Sequence, residues 1–337
     1  MPNVEDRFYV SHLDPALKDD FLALYKSVKA FEPVCRLPDR ITPDQADLLV
    51  TVLRFDCPEL FQIDVSSGYT ISTLNDKVVE IALPYIVEKA EYEEEYRECS
   101  DVVSNIVRQT EGLTDLEKER YVYDFLTESI TYTIDRTHCA DAYGALVEHQ
   151  AKCDGISIAM KWIMEGCGIT TLVISGRQYG DEFGHAWNCL NIDGSYYDLD
   201  ITNDTRTSDG SRTMNLYGAY NIYREWISSV YPVSEVLGNN FTLPETQKGQ
   251  SYHELNGSFV SGGSDINKST WQALDHAYES GGLCFLQFES SADYRKFLDN
   301  YETYTRSWFE SRNVGGAFDM NAIDEFRTAA LHIRASN

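Results

Sequence analysis

The stretch that decides the fold is His185-Ala186-Trp187-Asn188-Cys189-Leu190-Asn191-Ile192-Asp193-Gly194-Ser195-Tyr196-Tyr197-Asp198-Leu199-Asp200-Ile201-Thr202. Asp-Gly between two apolar-rich runs is the strongest hairpin signal in the chain, because a two-residue turn needs left-handed backbone that these residues tolerate. Such a turn pairs Ile192 with Ser195, sets Trp187 opposite Asp200 and leaves His185 just beyond, near Thr202. Alternation puts Asp198 and Asp200 on one face of the returning strand, with Tyr197, Leu199 and Ile201 on the other. A carboxylate diagonal to His185 can accept its N–H, fix the tautomer and stabilise the imidazolium. Taken singly, each residue also has an ordinary reading: solvated strand aspartates, a polar histidine at a strand edge, and a core tryptophan.

Upstream lies Gln150-Ala151-Lys152-Cys153-Asp154-Gly155, directly before an apolar-periodic run, Asp154 to Cys167, that Gly168 ends. A thiol at a helix start faces unpaired N–H groups and the positive end of the helix dipole, which favours thiolate. The backbone N–H of Cys153 is also placed to hold an oxyanion. A cysteine at a helix start is by itself unremarkable. In the order helix-start Cys, strand His, hairpin, strand Asp, however, the residues supply the nucleophile, base and orienting group of activated thiol chemistry.

These blocks resemble the transglutaminase-like superfamily, most closely its bacterial transglutaminase-like cysteine peptidase group. Tyr143-Gly144-Ala145-Leu146-Val147 and Lys152-Cys153-Asp154-Gly155 are similar to that group's Cys motif. Gly168-Ile169-Thr170, Val173 and Gly176 are similar to the helix end and the strand after it. His185-Ala186-Trp187-Asn188, Asp193-Gly194, Tyr196-Tyr197 and Asp200-Ile201-Thr202 resemble the His and Asp motifs, and Glu117-Lys118 through Tyr132 resembles the approach to the core. The resemblance covers about 115–205. It implies Cys153, His185 and Asp200 as a catalytic triad, with Asp200 rather than Asp198 in the family's Asp position. Ile156 stands where the group usually has an aromatic residue, and Asn203 where it commonly has Trp. Gln150 and Tyr143 are the candidates for a second oxyanion donor, and Trp187 for a wall of the substrate site.

The expected architecture is α+β: a papain/transglutaminase-like core, its Cys helix packed on an antiparallel sheet carrying His and Asp. An α-rich N-terminal domain (1–105), the core (106–245) and a small α+β region (246–337) are the expected divisions. Helices are expected at Pro15–Phe31, Pro43–Phe55, within Tyr92–Ile130, at Thr270–Glu279 and at Ala292–Glu310. Strands are expected within Tyr69–Pro84 and Ile130–Ile134, at Thr170–Ser175 and at Gly282–Phe288. Glu91–Glu95 reads as an exposed acidic stretch, and 210–250 as loop-rich with a Tyr/Trp cluster at Tyr217–Trp226.

With 28 Lys and Arg against 54 Asp and Glu, the net charge is −26, which repels phosphate backbones and anionic lipid and excludes nucleic acid as the expected partner. No apolar run reaches the ~18–20 residues of a membrane span, and the first residues lack a signal-peptide pattern, so a cytoplasmic location is expected. Eight scattered cysteines form no C-x-x-C pair, so seven read as reduced, buried small hydrophobes. Three ligands without a fourth make a poor zinc signature, and the expected chemistry needs no cofactor. Two function classes remain. One is a thiol hydrolase or acyl-transferase acting on peptide or isopeptide bonds of a protein or peptide substrate. The other is a silent scaffold that keeps the fold.

Overall fold

In the computed structural model the described residues are 2–64, 67–178, 184–202, 205, 227–230, 243–245, 258–280, 283–323 and 327–336. The helices open where the sequence offers caps. A short helix, α1 (Phe8–His12), precedes α2 (Pro15–Lys29), whose N-cap Asp14 accepts from the Ala16 amide. Thr42 and Gln45 form a reciprocal capping box at the start of α3 (Pro43–Asp56). Between them lies β1 (Cys35–Ile41), followed after α3 by the hairpin β2 (Thr70–Leu74) and β3 (Lys77–Ala82); the sheet order is β1-β3-β2. Asn75 and Asp76, both at positive φ, turn that hairpin.

Helix α4 (Lys89–Gln109) precedes α5 (Asp115–Ser129), which Thr114 and Glu117 cap in the same reciprocal way. Strand β4 (Thr131–Tyr132) then pairs in parallel with β5 (Gln150–Ala151), and a π-helical turn, Gly144–Glu148, lies between them. Helix α6 (Cys153–Gly166) packs on an antiparallel sheet of order β8-β7-β6-β9, made of β6 (Thr171–Gln178), β7 (His185–Ile192), β8 (Ser195–Leu199) and β9 (Ile227–Val230). Ile192 pairs with Ser195 and Asn188 with Leu199, the expected register, and Asp193 and Gly194 both turn at positive φ.

Two compact units divide the chain. One comprises Met1–Ser211 with Trp226–Thr246, the other Arg212–Glu225 with Gln247–Asn337. The expected boundary near residue 105 falls inside the first of these units. The Tyr9 hydroxyl donates to Val173 O at 2.7 Å, and Arg54 of α3 meets Asp154 of α6 at 2.9 Å. Beneath them Lys161, fully buried, contacts Asp56 at 3.1 Å, Thr171 O at 2.7 Å and Glu165. Asp56 also accepts the Val10 amide at 2.9 Å. Removing one partner from such a buried ionic group leaves an uncompensated charge worth about 3–5 kcal/mol, so these contacts tie residues 1–105 to the core. That N-terminal part is also less purely helical than expected, because it contains a three-stranded sheet.

In the second unit a sheet of order β10-β11-β13-β12 packs with two helices. Its elements are β10 (Phe259–Val260), α7 (Ile266–Ser280), β11 (Leu283–Phe288), α8 (Ser291–Arg312), β12 (Gly315–Ile323) and β13 (Thr328–Ser336). Phe297, Trp308, Leu274 and Leu331 sit at its buried centre. Among the described residues no helix is long and apolar enough to cross a membrane.

Candidate active site

Cys153 is the first residue of α6. The chain reaches it extended, with Lys152 at φ −100° and ψ −178°, and the Lys152 amide donates to Cys139 O at 2.8 Å. Two residues on, a Cβ built on Gly155 would lie 2.7 Å from both Cys139 O and Asp141 O, so only glycine lets the helix start seat this closely on the 139–141 loop. Asp154, in the first turn, suits the helix dipole and is held by Arg54 and, at 3.3 Å, by Lys152.

The β7–β8 hairpin carries the other two groups. His185 opens β7, and its Nε2 lies 2.7 Å from Oδ2 of Asp200, one residue beyond the end of β8. The Thr202 amide donates to the other carboxylate oxygen at 3.0 Å, fixing the orientation of Asp200. The Cys153 thiol, at the start of α6, is near enough to the His185 ring to act on its titration. Burial works against its charged form, but the charge and hydrogen bond of Asp200, together with Cys153, outweigh burial and raise its pKa to about 10. Cys153 is 8% exposed, the His185 side chain 14% and Asp200 4%, so the three lie in a nearly dry site where charge interactions are strong.

Trp187 is stacked beside His185, ring centroids 6.2 Å apart and planes 14° from parallel, as shared strand parity requires. At 1% exposure it belongs to the core. Gln150 and Tyr143 are engaged elsewhere. Gln150 Oε1 accepts from Arg136 at 2.8 Å, and strand alternation turns it away from the face of Ala151 and Cys153. The Tyr143 hydroxyl donates to Glu98 of α4 at 3.1 Å, and its ring stacks on Phe61.

Several contributors went unnoticed in the sequence. Asn188, 1% exposed, donates to Ser157 O of α6 at 2.9 Å and to Leu172 O of β6 at 3.2 Å, bracing the His strand against the Cys helix. A buried amide in the middle of an apolar strand was the available signal. Tyr132, half-buried, has its hydroxyl pKa raised to about 12 by burial, with the charges of Cys153, Asp154, Cys139 and Asp200 acting in the same direction. Glu95, read as exposed, is buried against His138, since its helical position turns it inward. Asn203 and the Tyr217–Trp226 cluster lie outside the described residues. A cleft of about 850 Å3, lined by Lys29, Ser104, Trp162 and Cys167 among others, contains none of the three site groups.

Residues 100–201 match the profile of the transglutaminase-like superfamily. That segment belongs to this superfamily. It holds Cys153, His185 and Asp200 together with α6 and the β7–β8 hairpin that carry them. Among solved structures, the chain is similar to a TGase at 13% identity and TM-score 0.27, over 50% of each chain. It is similar to a candidate protease from Parabacteroides distasonis at 13% identity and TM-score 0.26, over 45% of this chain and 32% of that one. A candidate cysteine protease from Cytophaga hutchinsonii gives 12% and 0.26, over 37% of this chain and 51% of that one. The alignments thus span about half or less of those proteins. No curated protein matches the chain.

Proposed function

We propose that the chain is a thiol-dependent hydrolase or acyl-transferase acting on peptide or isopeptide amide bonds, with Cys153 as nucleophile, His185 as base and Asp200 as the orienting carboxylate. The observation that carries this reading is the His185 ring, held through Nε2 by Asp200 at 2.7 Å and near enough to Cys153, at the start of α6, for the thiol to act on its titration.

On this reading His185 holds the thiol proton as imidazolium, in keeping with its raised pKa, and the Cys153 thiolate attacks the amide carbonyl carbon. A C–S bond forms and the carbonyl oxygen becomes an oxyanion. Collapse breaks the C–N bond, the imidazolium protonates the leaving amine, and a thioacyl intermediate remains on Cys153. Water, deprotonated by His185, completes hydrolysis; an amine in its place gives transamidation. Hydrolysis is the favoured outcome, since water is the default acceptor where no amine site is evident.

The test is covalent trapping of Cys153 by an electrophilic peptide probe, read by intact mass. Cys153→Ala should abolish labelling, and undiminished labelling of that variant would exclude Cys153 as the nucleophile. A wild-type thiol that alkylates with iodoacetamide no faster than an ordinary cysteine would favour the silent scaffold instead.

A further inference from the structure

The short parallel pair β4–β5 is the last structure before the nucleophile. Tyr132 pairs with Ala151, and the Thr133 amide donates to Ala151 O at 3.1 Å. Paired residues in neighbouring strands point to the same face, and residues two apart along an extended chain do so as well. Lys152 is extended, so the Ala151 face continues to Cys153. Tyr132, Ala151 and Cys153 therefore share one side, while Gln150 points to the other, where Arg136 holds it. The chemical groups around Tyr132 agree with that placement: Cys153, Asp154, Cys139 and Asp200 all act on its hydroxyl. A phenol in these surroundings stays protonated across the working pH range and so remains a hydrogen-bond donor.

We infer that the Tyr132 hydroxyl is the second oxyanion donor of this site, acting with the Cys153 backbone N–H on the oxygen of the carbonyl that Cys153 attacks. This rests on the thiol-acylation reading above. As the Cys153–carbon bond forms, the carbonyl π pair moves onto oxygen and is met by Tyr Oη–H and Cys N–H. As the pair returns, the leaving group departs, and the phenol keeps its proton throughout. The role calls for a neutral donor that binds the oxyanion more strongly than the ground-state carbonyl, and such donors are what acyl transfer uses.

Two reactions of the same sulfur test it. Acylation by p-nitrophenyl acetate passes through an oxyanion, whereas alkylation by iodoacetamide is a displacement at saturated carbon and does not. Tyr132→Phe should therefore slow the p-nitrophenolate burst about 100-fold and leave alkylation and thermal stability close to wild type. Acylation within about twofold of wild type would overturn the assignment, because removing an oxyanion donor typically costs 100-fold or more. A parallel loss in both reactions would also overturn it, marking Tyr132 as packing for the thiol. Failure of the underlying reading looks different: the wild-type protein itself would give no burst dependent on Cys153, whatever stands at residue 132.

Discussion

Two histidines in the first unit are held by carboxylates in nearly the same way, yet the proposed function uses only one. His138 Nδ1 lies 2.9 Å from Asp141, and His185 Nε2 lies 2.7 Å from Asp200. His138 is buried and His185 half-buried, both pack on an aromatic neighbour (Tyr143 and Trp187), and both have pKa values raised by their carboxylates against the opposing effect of burial. The difference is on the remaining edge. His138 Nε2 faces a second carboxylate, Glu95, at 3.6 Å, whereas the group that acts on His185 beside Asp200 is the Cys153 thiol. An imidazole between two acids is a clamp, and one between an acid and a thiol can move a proton. The lesson is that a His–carboxylate pair identifies nothing until its other nitrogen is accounted for.

The largest expected contrast comes from removing each ring. His185→Ala should slow Cys153 acylation by roughly a thousandfold or more, while His138→Ala should leave acylation within about threefold and lower the denaturation midpoint instead. Burst kinetics and a urea titration on both variants read the two effects. Equal kinetic losses would erase the distinction.

Next in size is Asp200→Asn, which should cost about 100-fold in acylation, since an orienting group contributes less than the nucleophile. The same variant should move the His185 titration, followed by ring NMR, down from about 10 toward the ordinary range. The ordinary value of 6.5 lies below the folded one, so the stabilisation from this ring is complete below pH 6.5 and is lost as the pH climbs to about 10. Asp200→Asn should flatten that decline.

The smallest effect belongs to the clamp. Burial, with Glu91 and Asp141 in support, raises Glu95 from 4.5 to about 6 despite His138. The folded protein therefore binds more protons than the unfolded chain between those values, and this group's contribution falls as pH rises from 4.5 to about 6. His138, also raised, works in the same direction, with its contribution complete below 6.5 and lost at higher pH. Stability curves of Glu95→Gln should decline less steeply across that acidic window. An unchanged slope would place the titration elsewhere.

The hairpin and its register were legible because Asp193-Gly194 leaves few ways to turn, and a fixed turn determines every pairing beyond it. The Cys helix was legible from its glycine stop and apolar period. Other features depend on packing that local pattern does not encode. Glu95 occupies one run with Glu91, Glu93 and Glu94, and what its inward helical face meets, His138, lies far along the chain. Ile227–Val230, within a stretch read as loop, pairs antiparallel with β6. The β12–β13 hairpin begins with Gly315-Gly316 and carries Asp319 and Asn321, which weaken its alternation, yet it pairs continuously from Gly315–Ser336 to Ile323–Thr328. Tyr132 escaped notice because parallel pairing across a long separation is invisible in a two-residue strand.

The Lys161 ammonium has a consequence for what must be exchanged together. The recognisable family segment starts at residue 100, inside a continuous helix, and includes Lys161 and Glu165 but not Asp56. The matched segment and the compact unit that contains it therefore have different borders. Replacing residues 100–201 by a segment without a cation at position 161 would leave the buried Asp56 carboxylate without its counterion.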